Sequence, residues 1–273
     1  MQTKENVDLK KFQTLTTDNL MRTEEFTPNY LELGFNEDNI DDLIEIALDN
    51  DFRFCESDDE KENYYPCHAI QILGQLNTLK PFDALLKRID FFVEDDYYTN
   101  AVAHYLRKVG STKKKELLTY FLNPCNEETN RLLILEVLET FMEDNSSFNK
   151  ELEEALLEYL NRDDELYDLL NASTIFDLID LSGAKHIDLI RKVFDTKPVD
   201  IYYDGDLEDV EIKLGLREKR SKPREKNIFQ KILEMEELMQ PIISTEPKIK
   251  RNEPCPCGSA KKYKNVVSIN SQS

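Results

Sequence analysis

Two cysteines near the C-terminus are the residues best suited to chemistry in this sequence. Cys255 and Cys257 are separated only by Pro256, and Gly258-Ser259 follow directly. Closely spaced thiolates are ligands of structural zinc, which takes four donors in a tetrahedral arrangement. The two thiols therefore indicate a metal site of which they supply half.

The segment of residues 251–264 around these cysteines resembles the SEC-C motif, the small zinc-binding module known from the C-terminus of the bacterial translocase motor SecA. A Cys-Pro-Cys-Gly-Ser core followed by Lys-Lys-Tyr-Lys carries the resemblance. The SEC-C pattern continues with two further ligands, Cys and then Cys or His, where this sequence has Val266 and Val267. The resemblance thus implies a degenerate motif without a complete zinc site in one chain.

Three interpretations of this tail remain open. It is a metal-free relic, because so small a core does not fold without its metal; it shares zinc with a second chain, at two thiols each; or its basic end contacts a partner without metal. An end altered by a frameshift would also explain the residues after Asn265. We expect no resident cofactor, and zinc only where a second chain or other ligands complete the site. The basic end consists of Lys261, Lys262, Tyr263 and Lys264.

Elsewhere the sequence offers little catalytic chemistry. Cys67-His68, with Cys55 twelve residues earlier, is a poor match to the ligand spacing of structural zinc. We expect Cys67 and Cys125 to be ordinary half-buried cysteines. A nucleophilic triad has no support, since no Ser or Cys partner recurs beside the histidines. We predict no catalytic residue.

The elements that must carry these residues form a repeat. A shift of 33 residues aligns Tyr64-Tyr65 with Tyr97-Tyr98 and Leu73 with Leu106. A fixed period of this size is typical of stacked helix pairs. The predicted fold is all-α, a right-handed α-solenoid whose hairpins resemble HEAT-like repeats, with an extended basic C-terminal tail. The four tyrosines are expected to pack between repeats, or else to form an exposed aromatic ridge for a partner.

The repeat pattern divides the chain into five parts. Residues 1–35 are predicted to be a weakly ordered leader, and residues 36–197 the solenoid. Residues 198–226 are predicted to be an acidic loop followed by a basic linker. A helix over residues 227–240 and a linker with the degenerate SEC-C tail over residues 241–273 complete the chain.

Charge separates the same parts. The chain carries a net charge of −20. Residues 1–212 hold 21 Lys and Arg against 48 Asp and Glu, whereas residues 213–264 hold 14 against 7. The acidic body repels nucleic acid, and the basic residues 213–226 and the tail could contact a polyanion. The chain has no apolar run of about 18 residues for a membrane span and no N-terminal secretory signal. Its five cysteines fit a reducing cytoplasm.

These features favour a non-enzymatic cytoplasmic scaffold that binds a protein partner through the solenoid surface, with the tail as an accessory contact. One alternative is an enzyme, or an enzyme subunit, with a site in the solenoid groove. The other is a ribosome or nucleic-acid contact through the basic segment. The sequence does not identify the partner.

Overall fold

The computed structural model of this chain describes residues 9–15, 20, 28–49, 60–89, 96–143, 146–223, 252, 254 and 262. Within these ranges all regular elements are helices and no strand is present, so the predicted all-α class is confirmed. Short 3-10 turns occur at Leu9–Thr14, Tyr30–Leu33, Glu37–Asn39, Glu60–Tyr64, Gly110–Thr112 and Gly183–His186. The α-helices are α1 (Ile40–Ala47), α2 (Tyr65–Gln75), α3 (Phe82–Arg88), α4 (Asp96–Val109), α5 (Lys114–Leu122), α6 (Glu128–Glu139), α7 (Ser147–Asn161), α8 (Asp168–Ser182), α9 (Ile187–Thr196) and α10 (Leu207–Lys213).

The helices form two series of contacts, and each series follows the order of the sequence. In one series of contacts α1 packs on α2, α2 on α4, α4 on α6, and α6 on α8. In the other, α5 contacts α7 and α7 contacts α9. No described helix combines the length and the apolar composition needed to cross a membrane.

The contact between α2 and α4 shows why the 33-residue shift is visible in the sequence. Leu73 and Leu106, which this shift aligns, are both fully buried, as predicted. Gly74 lets the two helices approach closely, because a Cβ atom built there would lie 3.3 Å from the Cα atom of Tyr105. The Tyr105 hydroxyl donates a hydrogen bond of 2.7 Å to the carbonyl of Thr78 in the turn after α2.

The predicted weakly ordered leader instead contributes to the core. Tyr30 anchors it, since its backbone N–H donates to Oε1 of Gln75 (2.9 Å) and its hydroxyl donates to Oε1 of Gln71 (2.6 Å). The buried residues of the leader escape a search for helical periodicity, because they lie in 3-10 turns and in irregular segments. The buried residues of this part are Phe12, Leu15, Leu20, Tyr30 and Phe35.

The predicted acidic loop contains the last described helix. Asp206 and Asp209 form a capping box at the start of α10, in which each side chain accepts from the other's backbone N–H. Gly205 is required there, because its φ is +128° and a Cβ atom would lie 2.6 Å from that of Asp209. Part of the predicted acidic loop is therefore the start of helix α10.

The chain forms two compact units, residues 1–222 and residues 223–273. In the second unit the described residues include an antiparallel bridge between Pro254 and Lys262. The predicted helix over residues 227–240 lies outside the described residues.

Candidate functional site

Two carboxyl groups are enclosed where α6 meets α8. Glu139 lies at the end of α6, and its carboxyl group acts on the pKa of Asp177, in the middle of α8. Asp177 is only 8% exposed. Its buried Oδ2 atom has no hydrogen-bond partner among the described residues.

Two more carboxylates lie at the rim of this pair. Glu136 on α6 and Asp180 on α8 are exposed, and we call these four residues the acidic seam. Burial is the main cause that raises the pKa of both Asp177 and Glu139, and repulsion from the other carboxylates adds to it. The seam therefore holds a proton that two isolated carboxyl groups would lose at neutral pH.

Basic side chains reach the rim of the seam. Nη2 of Arg107, on α4, lies 3.8 Å from Oε2 of Glu136. Nζ of Lys213, on α10, lies 3.2 Å from Oδ1 of Asp180. Both cations pair with the exposed carboxylates, and Arg107 also offsets part of the rise in the pKa of Glu139.

Sequence reasoning did not find the acidic seam. A signal was present in the sequence, because Asp177 is the only charged residue between Asp168 and Asp180. In the structure every residue from 170 to 179 is buried. The partner Glu139 had no such signal, since only the packing of α6 on α8 brings it there.

The basic segment that follows α10 is paired with acidic residues of that helix and its cap. Arg220 binds Asp206 through two hydrogen bonds of 2.9 and 2.6 Å. Arg217 donates to Glu211 (2.9 Å) and to Glu208 (3.0 Å). Arg220 holds the pKa of Asp206 below its usual range. Polyanion binding by residues 213–226 stays a prediction, in which Arg217 and Arg220 could take part only by leaving these pairs.

The four tyrosines of the repeat divide into two classes. Tyr65 and Tyr98 are buried and cannot meet a partner. Tyr64 and Tyr97 are half-buried and contact each other edge-to-face, with ring centroids 4.9 Å apart. The two rings, at positions that the 33-residue shift aligns, thus pack against each other.

Cys67 and His68 are also internal. Both are buried on α2, and Nδ1 of His68 lies 2.9 Å from the Tyr30 hydroxyl. Burial lowers the pKa of His68 to about 4, so its imidazole is neutral at physiological pH. Cys55 lies outside the described residues. Across the described ranges no group of three or more His, Cys, Asp or Glu side chains is placed to hold a metal ion.

Two clefts open on the surface of the first unit. Their volumes are about 330 and 400 Å³. In the first cleft the Glu116 carboxylate is paired with Lys113 (2.7 Å), and the Thr119 hydroxyl donates to the carbonyl of Lys115 (2.8 Å). The first is lined by Leu86, Lys87, Glu116, Thr119, Tyr120, Asn123 and Asn126, and the second by Asn29, Leu31, Gly74, Gln75, Asn77 and Lys108.

The tail is described only at its flanks. The bridge between Pro254 and Lys262 brings together residues on either side of the Cys-Pro-Cys-Gly-Ser segment. The remaining candidate site residues of the tail lie outside the described residues. They are Cys255, Cys257, Lys261, Tyr263, Lys264, Val266 and Val267.

Comparison with known proteins supports the resemblance of the tail. The SEC-C motif family matches residues 251–265, so the match ends immediately before Val266. The protein translocase subunit SecA of Coxiella burnetii (strain RSA 493 / Nine Mile phase I) is 58% identical over 33 residues. That similarity covers 12% of this chain and 4% of the relative, so this chain spans a small part of that protein's length. No solved structure matches. The chain is thus an all-α protein with a SEC-C motif in its C-terminal tail.

Proposed function

We propose that this chain is a cytoplasmic, non-enzymatic scaffold that binds a protein partner through the surface of a right-handed α-solenoid of HEAT-like hairpins. One observation carries the proposal: a series of helices makes contacts in chain order, from α1 through α2, α4 and α6 to α8. In a helical repeat each unit is stabilised by its neighbours, and this leaves the outer faces of the helices available for a partner.

Helices α5, α7 and α9, which we call the outer helices, have the exposed surface that such a role needs. Lys115 on α5, Glu154 on α7 and Lys192 on α9 are exposed, whereas Leu117, Leu156 and Val193 on the same helices are buried. Each helix therefore has one face in the core and one in solvent. The partner would contact several successive helices, as is usual for solenoid surfaces.

The tail supplies an accessory contact in this proposal. Its similarity to the SEC-C motif ends before the positions of the last two ligands, so a complete zinc site would need ligands from a second chain or from elsewhere. A tail without metal would still present Lys261, Lys262 and Lys264 to an acidic surface.

An enzyme with its site in the groove is the second candidate, and the acidic seam favours it. A carboxyl group whose pKa is raised can donate a proton at neutral pH. The residues that line the two clefts described above include none of the seam.

Site-specific photocrosslinking of the full chain in cells tests the scaffold. A photoreactive residue is placed at Lys115, Glu154 or Lys192, and at Asn252, an exposed tail residue, as the matched control. We expect one and the same protein to be crosslinked from at least two of the three outer helices. Adducts from the tail position alone, or no adduct from any outer helix, would overturn the proposal.

A further inference from the structure

Exposed aromatic and apolar side chains lie where the segment before α8 meets the segment after α9. Four of the eight large apolar side chains that are exposed in the described part of the chain belong to these two segments. Single exposed apolar residues are normal on a protein surface, whereas several on adjoining segments are typical of a surface that binds a partner. We call this group the tyrosine surface. It consists of Leu166 (62% exposed), Tyr167 (40%), Tyr202 (49%) and Tyr203 (47%).

Hydrogen bonds hold the two segments side by side. The backbone N–H of Asp200 donates to the carbonyl of Asp168 (3.0 Å). The side chain of Asn171 is fully buried, and its Nδ2 donates to the carbonyls of both Glu165 (3.4 Å) and Pro198 (2.9 Å). The backbone that carries the tyrosine surface is therefore held in place, and a partner that binds there does not have to order a loop.

Exposed carboxylates flank the tyrosine surface. Asp163 and Asp164 come just before Leu166, and Asp168 comes directly after Tyr167. All three are exposed, and in the described part of the chain none of them has a Lys or Arg nitrogen within ion-pair distance. They therefore remain available to a cationic group of a partner, and they repel an anionic partner such as a nucleic acid.

Two cations of the chain lie close to these carboxylates but are directed elsewhere. Nζ of Lys197 donates to the carbonyl of Arg162, and its charge acts on Asp163 and Asp164 from there. The guanidinium of Arg162 pairs with Glu158. The carboxylates thus outnumber the cations that reach them, and the edge of the tyrosine surface before α8 stays negatively charged.

Aromatic rings and carboxylates side by side favour one kind of ligand, the planar guanidinium group. Such a group stacks with its face on a tyrosine ring and donates two parallel hydrogen bonds to a carboxylate with its edge. We propose that the tyrosine surface binds an arginine-bearing basic segment of a protein partner. This inference rests on the proposed function only in taking the ligand to be a protein, and it adds the chemistry of the segment that is bound.

Fluorescence anisotropy of a labelled arginine-rich peptide, titrated with the full chain, tests this surface. The titration is run at about 0.15 M salt, so that attraction to distant charges is screened. We expect the peptide to bind, and a lysine-rich peptide of the same length to bind several-fold more weakly, because an ammonium group cannot stack on a ring as a guanidinium does. No binding, or equal binding of the two peptides, would overturn the inference.

The contribution of the rings is measured with a variant that leaves the charge unchanged. Tyr167→Ser combined with Tyr202→Ser should weaken binding of the arginine-rich peptide about tenfold, since exposed aromatic side chains often dominate the affinity of a contact. Leu79→Ser, at an exposed apolar position in the turn after α2, is the matched control and should bind like the unmodified chain. Unchanged affinity of the tyrosine variant, or an equal loss in the control, would reject the proposed surface.

The contribution of the carboxylates is measured with a second variant, which also serves if the first does not fold. Asp163→Asn combined with Asp164→Asn should weaken binding about tenfold. Glu37→Gln combined with Asp38→Asn removes the same charge from another pair of adjacent exposed residues and should have little effect. Equal losses would mean that the peptide responds to the net charge of the chain, and the inference would fail. None of these results bears on crosslinking from the outer helices.

Discussion

Arg131 and Glu165 form a buried ion pair with two parallel hydrogen bonds. Nη1 of Arg131 donates to Oε2 of Glu165 (2.9 Å), and Nη2 donates to Oε1 (2.8 Å). Nε of the same guanidinium donates to the carbonyl of Phe121 (2.8 Å), and the ring of Tyr159 packs against it at 5.2 Å. One side chain on α6 thus joins the end of α5, helix α7 and the segment before α8.

Removing half of this pair should be costly. Arg131→Ala would leave the buried Glu165 carboxylate with only the longer contact to Nη1 of Arg162 (3.6 Å). We expect a loss of about 3–5 kcal/mol in the free energy of unfolding. Urea denaturation measures it. Lys80→Ala is the control. Lys80 and Asp41 form an exposed ion pair, so the expected change in the free energy of unfolding is below about 1 kcal/mol. Equal effects of the two substitutions would contradict the structure at this pair.

The contact between α2 and α4 supports a second prediction. Leu106→Ala should lower the free energy of unfolding by about 2–5 kcal/mol, because it opens a cavity against α2. Leu73→Ala, at the aligned position, should cost a similar amount. An unchanged denaturation midpoint for Leu106→Ala would show that the proposed repeat register is wrong.

The difference between the predicted and the observed parts has a physical cause. Leu73 and Leu106 could be predicted because apolar residues at helical spacing report which face is buried. Tyr30 and Phe12 could not, since they enter the core from irregular segments that have no period. The meeting of Asp177 with Glu139 depends on how α6 packs against α8, and local sequence does not encode that contact.

The charge of the basic segment was also visible in the sequence, but its environment was not. Arg217 and Arg220 stand close to acidic residues in the sequence, so an internal pairing was possible in principle. Their pairing depends on helix α10. The run of acidic residues in the sequence did not reveal the capping box that starts this helix. Composition therefore predicted the basic charge of this segment, but not that Arg217 and Arg220 pair with acidic residues.

His68 gives a pH-dependent prediction. Its pKa is lowered to about 4 in the folded chain, so below about pH 6.5 the unfolded chain binds a proton that the folded chain does not. This group should therefore make the free energy of unfolding fall as the pH is lowered from about 6.5 towards 4. Denaturation at several pH values should show a smaller fall for His68→Gln than for the unmodified chain. Identical pH profiles would contradict the buried neutral imidazole.

Zinc content tests the interpretation of the tail. The purified monomer should not hold one equivalent of zinc at Cys255 and Cys257, because two thiols leave half of the coordination shell to water. Replacement of Val266 by Cys and Val267 by His should restore binding. Stoichiometric zinc that is lost on Cys255→Ser would instead mean that other residues of the chain complete the site. Metal analysis of the three proteins distinguishes these outcomes.

The scaffold proposal is tested most directly by the affinity of the crosslinked partner for full-length variants. Reversal of charge at Glu154 and Lys192, on the exposed faces of α7 and α9, should weaken binding by about tenfold or more if the partner spans these helices. Lys262→Glu, in the tail, should weaken it by a smaller factor. Binding that depends only on the tail substitution, and is unaffected on the outer helices, would contradict a solenoid scaffold.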